Sequence, residues 1–306
     1  MLLRSLVVLT GAIIGYQLFI PPIVGLADQG DFVRLIGRFG YGQDPPSPRW
    51  KYVYVPPKFV PTNFRVREWE QPTSEYLFVG IALLLNRVVS KDGSLSILLI
   101  GSVHALFFLL IYARLLRVTQ DFEGHRWLWV AATLVLTDVG YVAYWNSFYR
   151  EPASLLFALA LLAQTIAICR SEYPSTAAIV RWVIWSVLFV TAKEQNTALA
   201  LLLVIFLLRL RTWSACRRCR RVAVLGVLLI LTSGVLNVVT SPLPEHQAAA
   251  YNVLFLSILP ESGNPSADLQ WFGLSPRLAE YSGKNTWSVN TGFNDPELQR
   301  SIGRTL

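Results

Sequence analysis

Two carboxylates, Asp28 and Asp31, stand three residues apart in the run Asp28-Gln-Gly-Asp31, directly after the first long apolar block. A carboxylate held at a membrane surface can act as a general base toward an acceptor hydroxyl. The same spacing suits a helix start, with Asp28 as cap and Asp31 at the third helical position, both accepting free backbone N–H groups. The two readings are compatible, because a helix start would hold both carboxylates in place. A second polar cluster, Asn146-Ser-Phe-Tyr149-Arg150-Glu151-Pro152, separates two apolar blocks. Pro152 fits the first turn of a helix and Glu151 its positive end. Tyr149, Arg150 and Glu151 also make a small polar site. A third, Lys193-Glu194-Gln195-Asn196, breaks an apolar run. Such a break is costly unless it lines a cavity or reaches the surface. A lysine there can anchor a phosphate or pyrophosphate, or simply snorkel from a plain turn.

Two further acids are secondary candidates. Asp138 falls inside the apolar block 127–145, about two turns from its end. An intramembrane carboxylate is a functional candidate unless it is protonated and bonded to a neighbouring helix. Glu75 opens the apolar block 76–89, either as a helix-start charge or facing the same cavity. His104, His125 and His246 form no metal-ligand spacing and read as structural. Cys216-Arg-Arg-Cys219 is a lone CxxC, short of the four ligands zinc takes. Nucleotide-binding glycine loops, HExxH and GxSxG are all missing from the sequence, so soluble-type nucleotide and hydrolase chemistry lacks support.

These residues must be positioned by apolar elements. Of the 306 residues 53% are hydrophobic and 15% charged, with a mean hydropathy of +0.44. That balance excludes a disordered chain, a coiled coil and a disulfide scaffold, and argues against a soluble two-domain enzyme. The expected class is an all-α polytopic membrane protein. A spanning helix needs about 20 mostly apolar residues. Blocks at 4–24, 95–116, 127–145, 152–169 and 222–240, with two short spans from 182–210 hinged at Lys193–Asn196, give about seven spans. The block 76–89 is too short to span and is expected to lie in the interface.

With that helix on the outer surface, the span ends alternate in charge. Twelve arginines gather on the inner side: Arg4, Arg114, Arg117, Arg126, Arg170, Arg181, Arg209, Arg211, Arg217, Arg218, Arg220 and Arg221. By the positive-inside rule this places the N-terminus in the cytoplasm. The basic run 209–221 then reads as a topogenic signal near anionic lipid rather than a nucleic-acid site. Gly25-Leu26-Ala27 resembles a signal-cleavage site, but the preceding apolar stretch is long for one. The outer face receives the loop 27–94, the turns 146–151 and 193–196, and the segment 241–306. The domain reading is therefore a transmembrane domain over 1–240 and an extracytoplasmic segment of mixed structure over 241–306. The polar candidates collect on that face.

An acidic motif after the first span, a membrane-hugging helix and an acid in the second outer turn resemble the GT-C glycosyltransferases, membrane enzymes that use lipid-phosphate-linked sugars. The runs Leu26-Ala-Asp28-Gln-Gly-Asp31-Phe-Val-Arg34, Tyr144–Pro152 and Thr191–Asn196 are similar to those of bacterial glycan-biosynthesis hexosyltransferases, as is the stretch Tyr251–Trp271 with Leu259-Pro-Glu-Ser. The resemblance implies a GT-C-like helix bundle. It also implies hexose transfer from a polyprenyl-phosphate donor to a cell-surface glycan or lipid acceptor, in a bacterial inner membrane. Asp28 or Asp31 would be the base or acceptor-orienting group, Glu151 the second-turn acid and Glu75 the acid ahead of the interfacial helix. Arg150, Lys193 and Gln195 would face the donor phosphate, with Asp138 and Tyr149 secondary. A divalent Mg or Mn held by Glu75 and Glu151 is the one cofactor implied. GT-C proteins usually continue with further spans, so the resemblance also implies a longer protein. A non-catalytic membrane subunit, or a transporter of lipid-linked glycans, would explain the same outer-face acids as caps or path-lining groups.

Overall fold

The computed structural model describes residues 2–28, 32–43, 53–54, 58–62, 72–213, 216–241, 243–286 and 288–305. Asp31, half of the acidic motif, lies outside the described residues. The chain divides into two units, Met1–Thr240 and Ser241–Leu306.

The first unit is mostly helical. α1 (Leu2–Phe19) stops before Pro21-Pro22, since a proline cannot donate to the helical ladder and disfavours helix in the residue before it. The loop that follows departs from the all-α expectation. β1 (Ala27–Asp28) leads to α2 (Phe32–Ile36) and β2 (Tyr41–Gln43), then β3 (Val53–Tyr54) and β4 (Phe59–Pro61). β1 pairs antiparallel with β3, and β2 with β4. The pairing satisfies backbone groups that a bare loop would leave open.

α3 (Tyr76–Val89) is the short helix expected over 76–89, and it packs on α4 (Ile97–Val118). It buries Phe78, Val79 and Ala82 but exposes Leu77, Leu84 and Val88. A helix apolar on its exposed face too needs an apolar medium. Ser96 caps α4, its hydroxyl accepting from the N–H of Leu98 at 3.3 Å.

α5 (His125–Leu136) and α6 (Val139–Val142), continued by a 3-10 turn to Asn146, meet at a 54° bend. The hydroxyls of Thr133 and Thr137 each donate to the carbonyl four residues back, at 2.7 Å, which favours bending. Asp138 then caps α6, its carboxylate accepting from the N–H of Gly140 at 2.8 Å. The expectation of a carboxylate inside a continuous span is corrected here. Asp138 is an exposed cap at a helix break.

α7 (Glu151–Cys169) begins with Pro152 in its first turn. α8 (Thr176–Ala192) is capped by Ser175 and ends at the extended residue Lys193. A 3-10 turn, Glu194–Leu199, leads to α9 (Ala200–Trp213), and α10 (Arg217–Val239) closes the unit. α4 packs on α1 and α7, α7 on α8, and both α8 and α9 on α10. Large apolar side chains such as Leu201, Leu202, Leu225, Leu228 and Leu236 are exposed on α9 and α10. These are the surfaces of a protein whose solvent is lipid.

The expectation of about seven spans is corrected by helix length. Three helices, α4, α7 and α10, are long and apolar enough to cross a membrane, or four if the bent α5–α6 pair forms one span. α8 at 17 residues and α9 at 14 extend about 26 and 21 Å at 1.5 Å per residue, short of a core about 30 Å thick. The hydropathy blocks mark apolar sequence but run past the turns at Pro21-Pro22 and Asp138, whereas the expected hinge at Lys193 is where α8 ends.

In the second unit, α11 (Leu243–Tyr251) runs on through a π-helical stretch to Ile258, followed by α12 (Pro265–Trp271) and α13 (Pro296–Thr305). Its own core joins Tyr251, Phe255, Leu259, Leu269, Leu278 and Leu298. Arg277 bridges Asp295 at 3.0 Å and Glu297 at 3.2 Å.

Close approach of α8, α9 and α10 depends on a glycine. A Cβ on Gly226 would lie 2.5 Å from Val183 Cγ2 and 3.0 Å from Leu207 Cδ1. Small residues allow such packing in membranes, where no hydrophobic force draws helices together. Gly226→Val is expected to lower stability by about 1–3 kcal/mol through overpacking. Gly80→Ala on α3, with nothing within 4 Å of the new methyl, is expected to be neutral or slightly stabilising. Thermal unfolding in detergent checks both, and equal Tm values for the two variants would refute the packing argument.

Candidate functional site

The residues that link the helices are polar, and they cluster at one end of the first unit. The C-terminal ends of α1, α8 and α10 meet the N-terminal ends of α4, α7 and α9 there. The Asn146 amide donates to the carbonyls of Leu18 (3.2 Å) and Val24 (2.9 Å) beyond α1. It can do so because Gly101 on α4 has no side chain, since a Cβ there would overlap Asn146 Oδ1. The Tyr149 hydroxyl donates to the Ala27 carbonyl at 3.0 Å, next to Asp28. Phe32 packs edge-on against Phe148 and Tyr149. The turn 146–151 thus holds the start of the first loop. Asp28, at the end of β1, accepts through Oδ1 from the N–H of Phe32, the first residue of α2, at 3.3 Å.

Glu75 is the centre of the cluster and is fully buried. Its Oε1 is 2.7 Å from His104 Nε2, and its Oε2 accepts from the N–H of Ala153 at 3.0 Å. Ala153 lies in the first turn of α7, a helix without a side-chain cap from its own N-terminal flank. Glu75 therefore caps α7 from outside. His104 Nδ1 donates to the Trp145 carbonyl at 3.0 Å, because a carbonyl can only accept. The short Nε2–Oε1 contact must then hold a proton, either as imidazolium with carboxylate or as neutral imidazole with carboxylic acid. Burial pushes the Glu75 carboxyl above its ordinary range, and His104 opposes that push. The preceding residues fasten the segment to α8. Thr73 donates to the Ala192 carbonyl and Ser74 to that of Leu188, each at 2.7 Å.

Lys193 completes the cluster. Its Nζ donates to Glu151 Oε1 at 2.7 Å, with both side chains about one-third exposed (31% and 34%). Such a pair contributes only about 0–1 kcal/mol to stability, so its value to the fold is small. The backbone break around it is well satisfied. Asn237 on α10 donates to the carbonyl of Val190 (3.1 Å) and to Thr197 Oγ1 (3.0 Å). Asn196 donates to the Phe189 carbonyl and to Ser154 Oγ, both at 2.8 Å.

Asp28, Tyr149, Glu151, Lys193 and Glu75 thus belong to one continuous set of contacts. Arg150 flanks them at the N-cap position of α7, and Gln195 is exposed on the turn after Lys193. Asp138 stands apart as the cap of α6. The pair Glu75 and Glu151 does not fit a divalent cation. Both oxygens of Glu75 are engaged inside the protein, and Glu151 faces an ammonium group. Among the described residues no group of three or more His, Cys, Asp or Glu is placed to hold a metal ion. The sequence reading treated His104 as merely structural and passed over Asn237 and Ser154. The signal for His104 was its place on the buried stripe Ile97, Ile100, Gly101, His104, Phe108, where a polar ring requires partners.

The family model described as the YfdI N-terminal transmembrane domain matches residues 2–300. The chain belongs to that family. It is an integral membrane protein with a transmembrane domain. No curated protein and no solved structure matches it.

In this YfdI-type transmembrane domain, removing one member of the buried pair is expected to be severe. Glu75→Ala leaves His104 and the Ala153 N–H buried without their partner and is expected to cost about 3–5 kcal/mol. Glu75→Gln keeps an acceptor for Ala153 and a donor for His104, so it is expected to cost less than half as much. Thermal or denaturant unfolding in detergent separates the two. A small loss in Glu75→Ala would show that the pair is not the tie described.

Proposed function

We propose that the protein transfers a hexose from a polyprenyl-phosphate donor to a glycan or lipid acceptor at the membrane face where Asp28, Glu151 and Lys193 gather. We read that face, and the Ser241–Leu306 unit, as extracytoplasmic in a bacterial inner membrane, with the N-terminus in the cytoplasm. The observation that carries the proposal is the part-exposed Lys193–Glu151 pair, joined through the turn 146–151 to the loop that carries Asp28. An accessible ammonium at the end of an apolar bundle suits a phosphate whose lipid tail lies among the helices. The resemblance to GT-C hexosyltransferases supplies the reaction class.

In this reading the bond between the sugar anomeric carbon and the phosphate oxygen breaks as the acceptor oxygen attacks that carbon. The transition state has oxocarbenium character. The acceptor proton passes to the carboxylate of Asp28 or Asp31. Charge growing on the leaving phosphate is met by Lys193, with Arg150 beside it. Glu151 holds the Lys193 ammonium in place, and Tyr149 holds the loop at Ala27. Gln195, exposed on the adjoining turn, is a polar contact for the donor.

Asparagine serves as well as aspartate at a helix cap but is no base. Asp28→Asn and Asp31→Asn therefore separate chemistry from capping. In a transfer assay with a polyprenyl-phosphate hexose, one of them is expected to lose about 10²–10⁴-fold in rate with little change in stability. Lys193→Ala is expected to lower the rate as well. Wild-type rates in both Asp variants would end the proposed role of this motif. Transport of lipid-linked glycan in liposomes without sugar transfer would favour a transporter, and loss of complex assembly alone would favour a non-catalytic subunit.

A further inference from the structure

The opposite, basic end of the first unit carries a cysteine pair that sugar transfer does not use. Cys216 is exposed at the N-cap of α10, and Cys219 is buried in its first turn. The Cys216 carbonyl accepts from the N–H of Arg220 at 3.1 Å, so the turn containing both cysteines is closed. Cys219 Sγ lies 3.3 Å from Thr176 Oγ1, and its thiol reaches the Pro174 carbonyl at 3.8 Å. One sulfur thus faces solvent at the positive end of a 23-residue helix, and the other sits one turn inside and fastens the loop leading to α8. Arg217, Arg218, Arg220 and Arg221, all exposed, raise the local positive potential.

We propose that Cys216 and Cys219 form a thiol–disulfide exchange site, with Cys216 the attacking thiolate, Cys219 the resolving thiol and a low-molecular-weight disulfide the co-substrate. Three observations converge on that division of roles. Only Cys216 is accessible. The N–H and thiol of Cys219 hold the Cys216 thiol below its ordinary range, as expected for the first cysteine of a CxxC at a helix start. Cys219, one turn away, is close enough for a disulfide to span.

The exchange balances. The Cys216 thiolate attacks one sulfur of RSSR, the S–S bond breaks, and RS⁻ leaves and takes up the proton Cys216 released. Cys219 then loses its proton and attacks the Cys216 sulfur, expelling the second RSH. Two protein thiols are oxidised and one disulfide is reduced to two thiols. Oxidation also draws Cys219 Sγ away from Thr176 and Pro174, releasing the loop at the start of α8, the helix whose other end carries Lys193. The inference does not depend on sugar transfer.

The test uses the full chain in detergent, treated with oxidised glutathione at neutral pH, quenched and mapped by mass spectrometry without reduction. Wild type is expected to form the Cys216–Cys219 disulfide. Cys219→Ser should accumulate glutathione on residue 216, and Cys216→Ser should leave Cys219 unmodified. Cys169, exposed at the end of α7, is an internal reference. Iodoacetamide should modify Cys216 about tenfold faster than Cys169 or more. Equal rates at the two sites would overturn the proposal, as would a glutathione adduct on Cys216 that persists in wild type.

Discussion

A carboxylate without solvent contact among apolar helices survives only if both its oxygens are matched, because an unpaired buried charge is far more costly than a good pair is favourable. Glu75 meets that condition by joining three helices. It begins α3, binds His104 on α4 and caps α7 through the Ala153 N–H. The contact to Ala153 caps a helix start that its own flank leaves open, and the contact to His104 ties in α4 beyond its Ser96 cap. The Thr73 and Ser74 hydroxyls extend the tie to α8. The polar end of the bundle is therefore organised around one acid.

That arrangement divides the charged residues into two kinds. The Glu75–His104 pair is sealed, so it can position neighbouring elements but cannot touch a ligand. The Glu151–Lys193 pair is one-third exposed and worth little to the fold, so it is free to exchange its internal contact for an external one. The hinge that presents Lys193 is held instead by amides, with Asn196 and Asn237 satisfying the carbonyls freed where α8 ends. Support of the backbone and presentation of charge are thus assigned to different residues.

Much of this was legible in the sequence and some was not, for identifiable reasons. Apolar blocks located the helices, and 76–89 was read with the bounds of α3 because turn signals flank it on both sides. Span count was misread because hydropathy measures composition rather than backbone continuity. Asp138 ends a helix inside a stretch that remains apolar on average, and the helices on either side of the expected hinge at Lys193 are too short to span. The short strand pairs in the first loop were missed because two- and three-residue strands have no periodicity to detect. Glu75, Glu151 and Lys193 were each found as polar residues that apolar packing does not explain. Glu75 reaches the start of α7 through the Ala153 N–H, a backbone group, and Glu151 meets Lys193 directly, pairings that residue types alone do not reveal.

Helix polarity also acts at the polar end. α7 begins there with Glu151 in its first turn, where the positive end of the dipole favours negative charge. Helix polarity alone therefore accounts for the position of Glu151. It bears on Lys193 too, which ends α8, whose negative C-terminal end favours a cation, while its side chain reaches Glu151 at the positive start of α7, which does not. A ligand bearing negative charge at the start of α7 would be favoured by that dipole and by the ammonium together. This is the physical asymmetry that separates the hinge from an ordinary turn.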